Sequence, residues 1–390
     1  MAPIRVLFFT THLGGGGAEM QAVRVANQLD PAAFEVHVAV CRRGGAYERL
    51  LRPTVRLHHL APARIRSSTA GLVLGAWPLR RLARALAPDV VCSFMDGANV
   101  VAALAVGRRG DRPRVVACVQ NTISQELGTS RHPVKRTVRA LIQRTYPRVD
   151  RIVALSRGVA ADLIDNVPDT AAHVSVIYNA GLDDQLAARA AQPLDDDAPA
   201  IPRPLVVACG RLAHQKGYPH LLDAFVRVRR ETGAHLWILG EGPDRAAIEA
   251  QIARLGLGDA VRLLGFRKNP YPYMAAADLF VLPSLYEGFG NVVVEAMAVG
   301  TPVVASDCPH GPGEIITDGV NGLLVPPAAP APLAAAMIRV LGDPALARAL
   351  AERGQARAQD FHVDKIGAAY AALLRGVTTG TSLDTPPAFT

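Results

Sequence analysis

Short apolar runs alternate along the chain with longer stretches whose apolar positions recur at helical spacing. In the first half, IRVLFFT (4–10), FEVHVAV (34–40), DVVCSF (89–94), RVVACV (114–119), DRIVALS (150–156) and HVSVIYN (173–179) are such runs. Near-continuous apolar character marks strands covered on both faces of a parallel sheet. Between the first two lies AEMQAVRVANQLD (18–30), which reads as a helix. Residues 189–204, RAAQPLDDDAPAIPRP, break the pattern with Pro, Asp and Ala and no period, and read as a linker.

The alternation then begins again. PLVVACG (204–210), HLWILG (235–240), VRLLG (261–265), DLFVLPS (278–284), TPVVASD (301–307) and GLLVPP (322–327) are six further predicted strands. HLLDAFVRVRRETG (220–233) carries Leu221, Phe225 and Val228 at i, i+4 and i+7, the buried stripe of a helix. Two successive βαβ arrays predict an α/β chain of two doubly wound domains, with ligands taken up outside the strand C-termini. The predicted boundaries are a first domain over 1–190, a linker over 191–203, a second domain over 204–360, a closing helix over 361–376 and a disordered tail over 377–390. A length of 390 residues agrees with two cores rather than one.

Composition changes this picture in three places. The formal net charge of +8 falls on residues 1–200, with 25 Lys and Arg against 17 Asp and Glu, and the remainder is neutral. A basic half points to an acidic partner, and Arg131, Lys135, Arg136, Arg139, Arg144, Arg148 and Arg151 are its densest stretch. An ordinary solvated helix face explains that stretch equally well. No basic–aromatic interleaving or zinc module is present, so nucleic acid is not an expected partner. The five cysteines are scattered without a C-x-x-C, which fits a reducing compartment and neither a disulfide framework nor a zinc site. The start reads as no signal peptide and no run is long enough to span a bilayer, so a cytoplasmic protein is expected.

Candidate chemistry lies where predicted strands end. GRLAHQKG (210–217) delivers Arg211 and Lys216 in one glycine-bounded loop, a fork and a point charge suited to phosphate oxygens. EGFGNVVVE (287–295) sets Glu287 and Glu295 on either side of a predicted helix start, with Gly288 and Gly290 permitting close backbone approach and Asn291 capping. SDCPHGPGEIITDGVNG (306–322) offers amides near Gly311 and Gly313 ahead of a short helix with Glu314. HLGGGGAE (12–19) is a poor dinucleotide fingerprint, since four glycines in a row are not G-x-G-x-x-G. Arg42 and Arg43 after the second strand leave an NADP reading open, and a flexible loop over a second substrate is the alternative.

Taken together and in this order, GRLAHQKG, GEGP, EGFGNVVVE, EAMAVGTPVVASD and GPGEIITDGVNGLLV resemble a family-4 glycosyltransferase with its E-x7-E motif, from Ile4 to about Leu374. The resemblance implies the GT-B architecture, two Rossmann-like domains facing across a cleft. It implies retaining transfer of a sugar from a nucleotide-sugar donor to an acceptor hydroxyl, with no metal and no cofactor. By the same resemblance Arg211 and Lys216 hold the donor diphosphate, Glu287 contacts sugar hydroxyls and Glu295 the ribose. The amides of Phe289, Gly290 and Asn291 lie near the sugar, those of Gly313 and Glu314 near sugar or phosphate, and Phe266 and Arg267 near the base. On the acceptor or sugar side are Gly15 and Gly16, with Gln120 and Asn121 where the family often has a histidine. An amide still hydrogen-bonds a sugar hydroxyl. Asp195–Asp197, the only D-x-D-like run, reads as solvated.

The expectation is a UDP-sugar donor, with an N-acetylhexosamine in view and GDP-mannose second, in polysaccharide or glycoconjugate synthesis. The acceptor is a glycan or a lipid-linked glycan, and the basic first domain would meet an anionic membrane surface from the cytoplasmic side. A sugar-nucleotide epimerase, a phosphorylase and a catalytically silent nucleotide or glycan binder share the architecture and stay open.

Overall fold

The structure, a computed structural model, describes residues 2–60, 68–106, 113–126 and 133–380. It divides into two compact units, one running to Ala180 and resuming at Val363, the other spanning Gly181–His362.

The first unit is built on strands β1 (Ile4–Thr10), β2 (Phe34–Val40), β3 (Arg56–His59), β4 (Val90–Phe94), β5 (Arg114–Val119), β6 (Arg151–Ala154) and β7 (Val174–Val176). They form one parallel sheet in the order β3-β2-β1-β4-β5-β6-β7. Its helices are α1 (Gly17–Gln28), α2 (Ser68–Leu86), α3 (Asp96–Val106), α4 (Ile123–Glu126), α5 (Pro133–Thr145) and α6 (Arg157–Asn166). Right-handed crossovers put α2, α3 and α5 in one layer, and α2 packs on α3, which packs on α5. The six predicted strands are all present. β3 was missed, because RLHH has no apolar run; as an edge strand it is held by pairing His37 with Arg56 through Val40 with His59.

The second unit carries β8 (Leu205–Cys209), β9 (His235–Leu239), β10 (Val261–Gly265), β11 (Leu279–Leu282), β12 (Val303–Ser306) and β13 (Leu323–Val325), in the order β10-β9-β8-β11-β12-β13. Around this parallel sheet lie α7 (Leu186–Ala190), α8 (Tyr218–Thr232), α9 (Arg245–Arg254), α10 (Tyr271–Ala275), α11 (Asn291–Ala298), α12 (Pro312–Ile315), α13 (Pro330–Gly342) and α14 (Pro344–Ala358). Leu221, Phe225 and Val228 of α8 are fully buried, as their spacing predicts, in the core with Leu333, Met337 and Val340 of α13.

Both predicted boundaries move. Residues 181–203 belong to the second unit, so 191–203 is not the connection between units. Arg267 holds it down through Asp195 (3.2 Å) and both carboxylate oxygens of Asp197 (2.5 and 3.0 Å), while Tyr273 donates to Asp195 at 2.9 Å. The Asp195–Asp197 run is therefore an anchor rather than a freely solvated turn. The last helix, α15 (Val363–Thr379), packs on α1 of the first unit, because its buried stripe of Ile366, Tyr370, Leu373 and Leu374 completes that core. It also carries helix through residues 377–379, where a disordered tail was expected; residues 381–390 and Arg131 lie outside the described residues.

Candidate functional site

Strand order reverses once in the second unit, where β8 and β11 pair side by side although the chain between them visits β9 and β10. Loops leaving two such strands meet at their C-terminal ends, which is where open α/β sheets bind ligands. Here the loop after β8 and the loop after β11 are stitched by their backbones. Leu285 N–H donates to the Gln215 carbonyl at 2.8 Å, and the Gln215 carboxamide donates to the Tyr286 carbonyl at 3.0 Å. Gly217, with φ +62, allows this contact: a Cβ there would lie 2.1 Å from the Pro283 carbonyl oxygen.

The stitching brings Lys216 to Glu287, 71 residues away, with Nζ 2.6 Å from Oε1. Ser284 Oγ donates to the same oxygen at 2.6 Å, and Glu287 is only 6% exposed. Lys216 uses one of three N–H groups in this pair. Arg211, from the same loop, is exposed, and its side chain has no hydrogen-bond or ion-pair partner among the described residues. One cation is thus built into the site and the other stands at its rim.

Glu295 sits in the second turn of α11. Burial pushes the Cys209 thiol at the end of β8 up to about 12, with the Glu295 charge adding to the rise and Lys216 opposing it. Burial first, then Glu287, raises Cys308 to about 12. Tyr218 is raised by burial, then by Cys209 and Glu287. Glu287 thus stands beside Lys216, and the Glu295 charge is felt at the end of β8.

The two glycine loops also lock together. Glu287 N–H donates to the Pro309 carbonyl at 3.0 Å, and a Cβ on Gly311 would lie 2.3 Å from the Phe289 carbonyl oxygen. Gly290 (φ +98) is the residue that caps α11, so Asn291 is its first residue and does not cap; its buried Oδ1 has no hydrogen-bond donor. Phe289 is buried edge-on against Phe361, 5.3 Å between centroids. Arg357 stacks over Phe361 and donates to the Glu314 and Ile315 carbonyls (2.9 and 3.3 Å), where it satisfies the C-terminal end of α12. Gly313 is exposed at the start of that short helix. Phe266, 68% exposed after β10, offers an open aromatic face. Its neighbour Arg267 does not: its guanidinium is committed to Asp195 and Asp197 and lies over the Tyr273 ring.

The first-unit candidates lie after β1 and β5. Gly15 and Gly16 are exposed, but the loop is tied rather than loose: Tyr47 Oη donates to the Gly15 carbonyl at 3.0 Å and Tyr47 N–H to the Leu13 carbonyl at 3.0 Å. His12 Nδ1 lies 3.3 Å from the buried Glu19 carboxylate. Gln120 is buried and accepts from Asn179 at 3.3 Å, with its own Nε2 donors unused; Asn121 follows it in the loop. Sequence reading missed Ser284, Gln215 and Arg357, whose roles arise only from strand order. It also missed Asp96, at the end of β4, which accepts from Tyr146 Oη at 2.7 Å and is pushed up to about 6, chiefly by burial. Among the described residues, no three His, Cys, Asp or Glu side chains gather as a metal would require.

Two doubly wound sheets of the GT-B fold, one with a cation–carboxylate pair at its switch point, define a class of α/β proteins that take up ligands where strand order reverses. Residues 15–181 match the family model described as Glycosyltransferase Family 4, and residues 203–343 that described as Glycosyl transferases group 1. The chain belongs to this family and is a glycosyltransferase. It is 30% identical to the 2-deoxystreptamine glucosyltransferase of Streptomyces kanamyceticus, over 82% of this chain and 86% of that one. With the N-acetylgalactosamine-N,N'-diacetylbacillosaminyl-diphospho-undecaprenol 4-alpha-N-acetylgalactosaminyltransferase of Campylobacter jejuni it shares 29% identity, over 92% and 96% of the two chains. HepE of Anabaena, solved with UDP and glucose, superposes with a TM-score of 0.79 at 27% identity, covering 95% of this chain and 99% of that one.

Proposed function

We propose that the enzyme transfers a sugar, with retention and without a metal, from a UDP-sugar to a hydroxyl of a lipid-linked or polymeric glycan at the inner face of the membrane. An N-acetylhexosamine donor is favoured and GDP-mannose stands second. The observation that carries this reading is the Lys216–Glu287 pair at the switch point, with Arg211 in the same loop, its side chain unpartnered among the described residues. The Campylobacter relative, whose name gives it an amino-sugar transfer onto a diphospho-undecaprenol glycan, and HepE with UDP and glucose support the choice of donor and acceptor.

As the anomeric C–O bond breaks, negative charge grows on the departing diphosphate and positive charge on the sugar. Arg211 and the two remaining N–H groups of Lys216 bind the first, and amides at the starts of α11 and α12 add oriented dipoles; one such contact is worth about 3–4 kcal/mol. Glu287, oriented by Lys216 and Ser284, accepts from sugar hydroxyls, and Glu295 from the ribose. The carboxylates are not assigned as a glycosidase nucleophile and acid. The acceptor attacks from the leaving-group face and passes its proton to a phosphate oxygen of the departing diphosphate.

The test is nucleotide-induced thermal stabilisation of wild type and Arg211→Ala with UDP, GDP, ADP and NADP. A ligand at a hundredfold its Kd adds about 2.7 kcal/mol to the folded state. UDP should stabilise wild type most, and Arg211→Ala should lose that shift while melting like wild type without nucleotide. A shift with GDP alone would replace the donor, NADP alone would return the oxidoreductase reading, and no shift with any nucleotide would sink the transferase mechanism. Free sugar released without acceptor would favour an epimerase.

A further inference from the structure

The outward stripe of α2 combines exposed apolar and basic side chains. Leu74, Trp77, Arg81 and Arg84 succeed one another at spacings of three, four and three, so they share one side, with Arg80 at its edge. All five are exposed, and the opposite side, Gly75, Leu79 and Ala83, is buried. Leu74 is 57% and Trp77 69% exposed, and Leu104 on the adjoining α3 is 58% exposed. The stripe is thus apolar at its first half and basic at its second, with the Arg81 guanidinium 5.9 Å above the Trp77 ring.

Neither α2 nor α5 contains an acidic residue. Arg80, Arg84, Lys135 and Arg136 have no ion-pair partner among the described residues. Solvated helices of the second unit differ: Arg227 pairs with Glu231 on α8, and Arg245 of α9 with Glu249 on the same helix and Glu241 in the loop before it. Unpaired cations beside exposed Trp and Leu match an interface where phosphate headgroups lie next to acyl chains.

We propose that the α2 stripe, flanked by Leu104 of α3 and the basic start of α5, docks the first unit on an anionic phospholipid bilayer, with Trp77 and Leu74 entering the headgroup–acyl boundary. The surface deepens the reading of a lipid-linked acceptor, and vesicle binding tests it without any transfer reaction. A second copy of this chain is a poor occupant, because two such faces would set like charges against each other. Nucleic acid would use the arginines and leave Leu74, Trp77 and Leu104 without a role.

The chain contains two tryptophans, and Trp237 is buried in the second unit at 1% exposure, so emission changes on vesicle addition report Trp77. Full-length protein is mixed with vesicles of phosphatidylcholine, with and without phosphatidylglycerol, at low and high salt. Phosphatidylglycerol vesicles should co-sediment the protein, shift Trp77 emission to the blue and, when the acyl chains are brominated, quench it. Each basic residue near an anionic surface is worth about fivefold in partitioning, so Arg80→Gln, Arg81→Gln and Arg84→Gln together should weaken binding roughly a hundredfold. Trp77→Phe should abolish the spectral change, and the triple variant should keep wild-type stabilisation by UDP. Vesicle binding that the triple variant leaves intact, sedimentation with no change at Trp77, or binding to duplex DNA but not to vesicles would each overturn the proposal. Loss of UDP stabilisation in wild type would instead strike the donor reading alone.

Discussion

Replacing Lys216 with methionine keeps the length of the side chain and removes its charge, and so isolates the 2.6 Å contact with Glu287. Opposite charges at that separation attract by roughly 6 kcal/mol at an effective dielectric of about 20, before desolvation is subtracted. The carboxylate side chain is 8% exposed and the ammonium-bearing one 17%, so the pair is nearer the buried than the surface limit. Breaking a buried pair from one side costs about 3–5 kcal/mol, because the other charge is stranded. Ser284 still donates to Glu287, which lowers the expectation for Lys216→Met to about 3 kcal/mol. Glu287→Gln leaves an ammonium that reaches water more readily and should cost about 1–2 kcal/mol. The double variant strands nothing and should fall at least about 2 kcal/mol short of the sum. Urea unfolding in a Trp77→Phe background measures this, since Trp237 in β9 then reports the second unit alone. A loss below about 1 kcal/mol for Lys216→Met, or additivity of the two single changes, would refute the claim that this pair is a coupled part of the site.

Two further outcomes follow from backbone geometry and from burial. Gly290→Ala meets nothing closer than 3.6 Å but must hold φ +98, so it should cost about 1–2 kcal/mol. Gly311→Ala adds a Cβ 2.3 Å from the Phe289 carbonyl oxygen to a φ of +91, so its loss by the same Trp237 assay should clearly exceed that; equal losses would mean the two loops are not locked. Asp96 is raised from its ordinary 3.8 to about 6, by burial first and the Asp162 charge, with the Tyr146 hydroxyl opposing. A raised folded-state value gives stability that is fully present below about pH 4 and lost as pH rises through about 6. Relative to Asp96→Asn, wild type should therefore lose about 2.4 kcal/mol between pH 4 and 7.5, seen as converging or crossing thermal midpoints; parallel profiles would rule this out.

Much of this molecule was legible along the chain because strand burial on both faces writes apolar runs that need no partner to be recognised. The twelve predicted strands and the stripe of α8 were recognisable on that basis, and the loops carrying Arg211, Lys216, Glu287 and Gly311 were placed at strand ends by the same pattern. What failed was whatever depended on a distant neighbour. β3 is a strand only because β2 offers an edge, α15 joins the first core only by crossing back to it, and Asp195 and Asp197 are anchors only because Arg267 reaches them.

The chemistry divides in the same way. Residue type and local spacing pointed to two doubly wound units and set two cations and two carboxylates at or just after strand ends, since helix starts, glycine turns and strand ends are local properties. Only tertiary structure decided which cation is built in and which is free. It put β11 beside β8, and so gave Lys216 to Glu287, which also accepts from Ser284, while the Arg211 side chain has no partner among the described residues. Charge pairing falls off within a few ångströms, and 71 residues of chain carry no record of such a distance until the sheet is ordered.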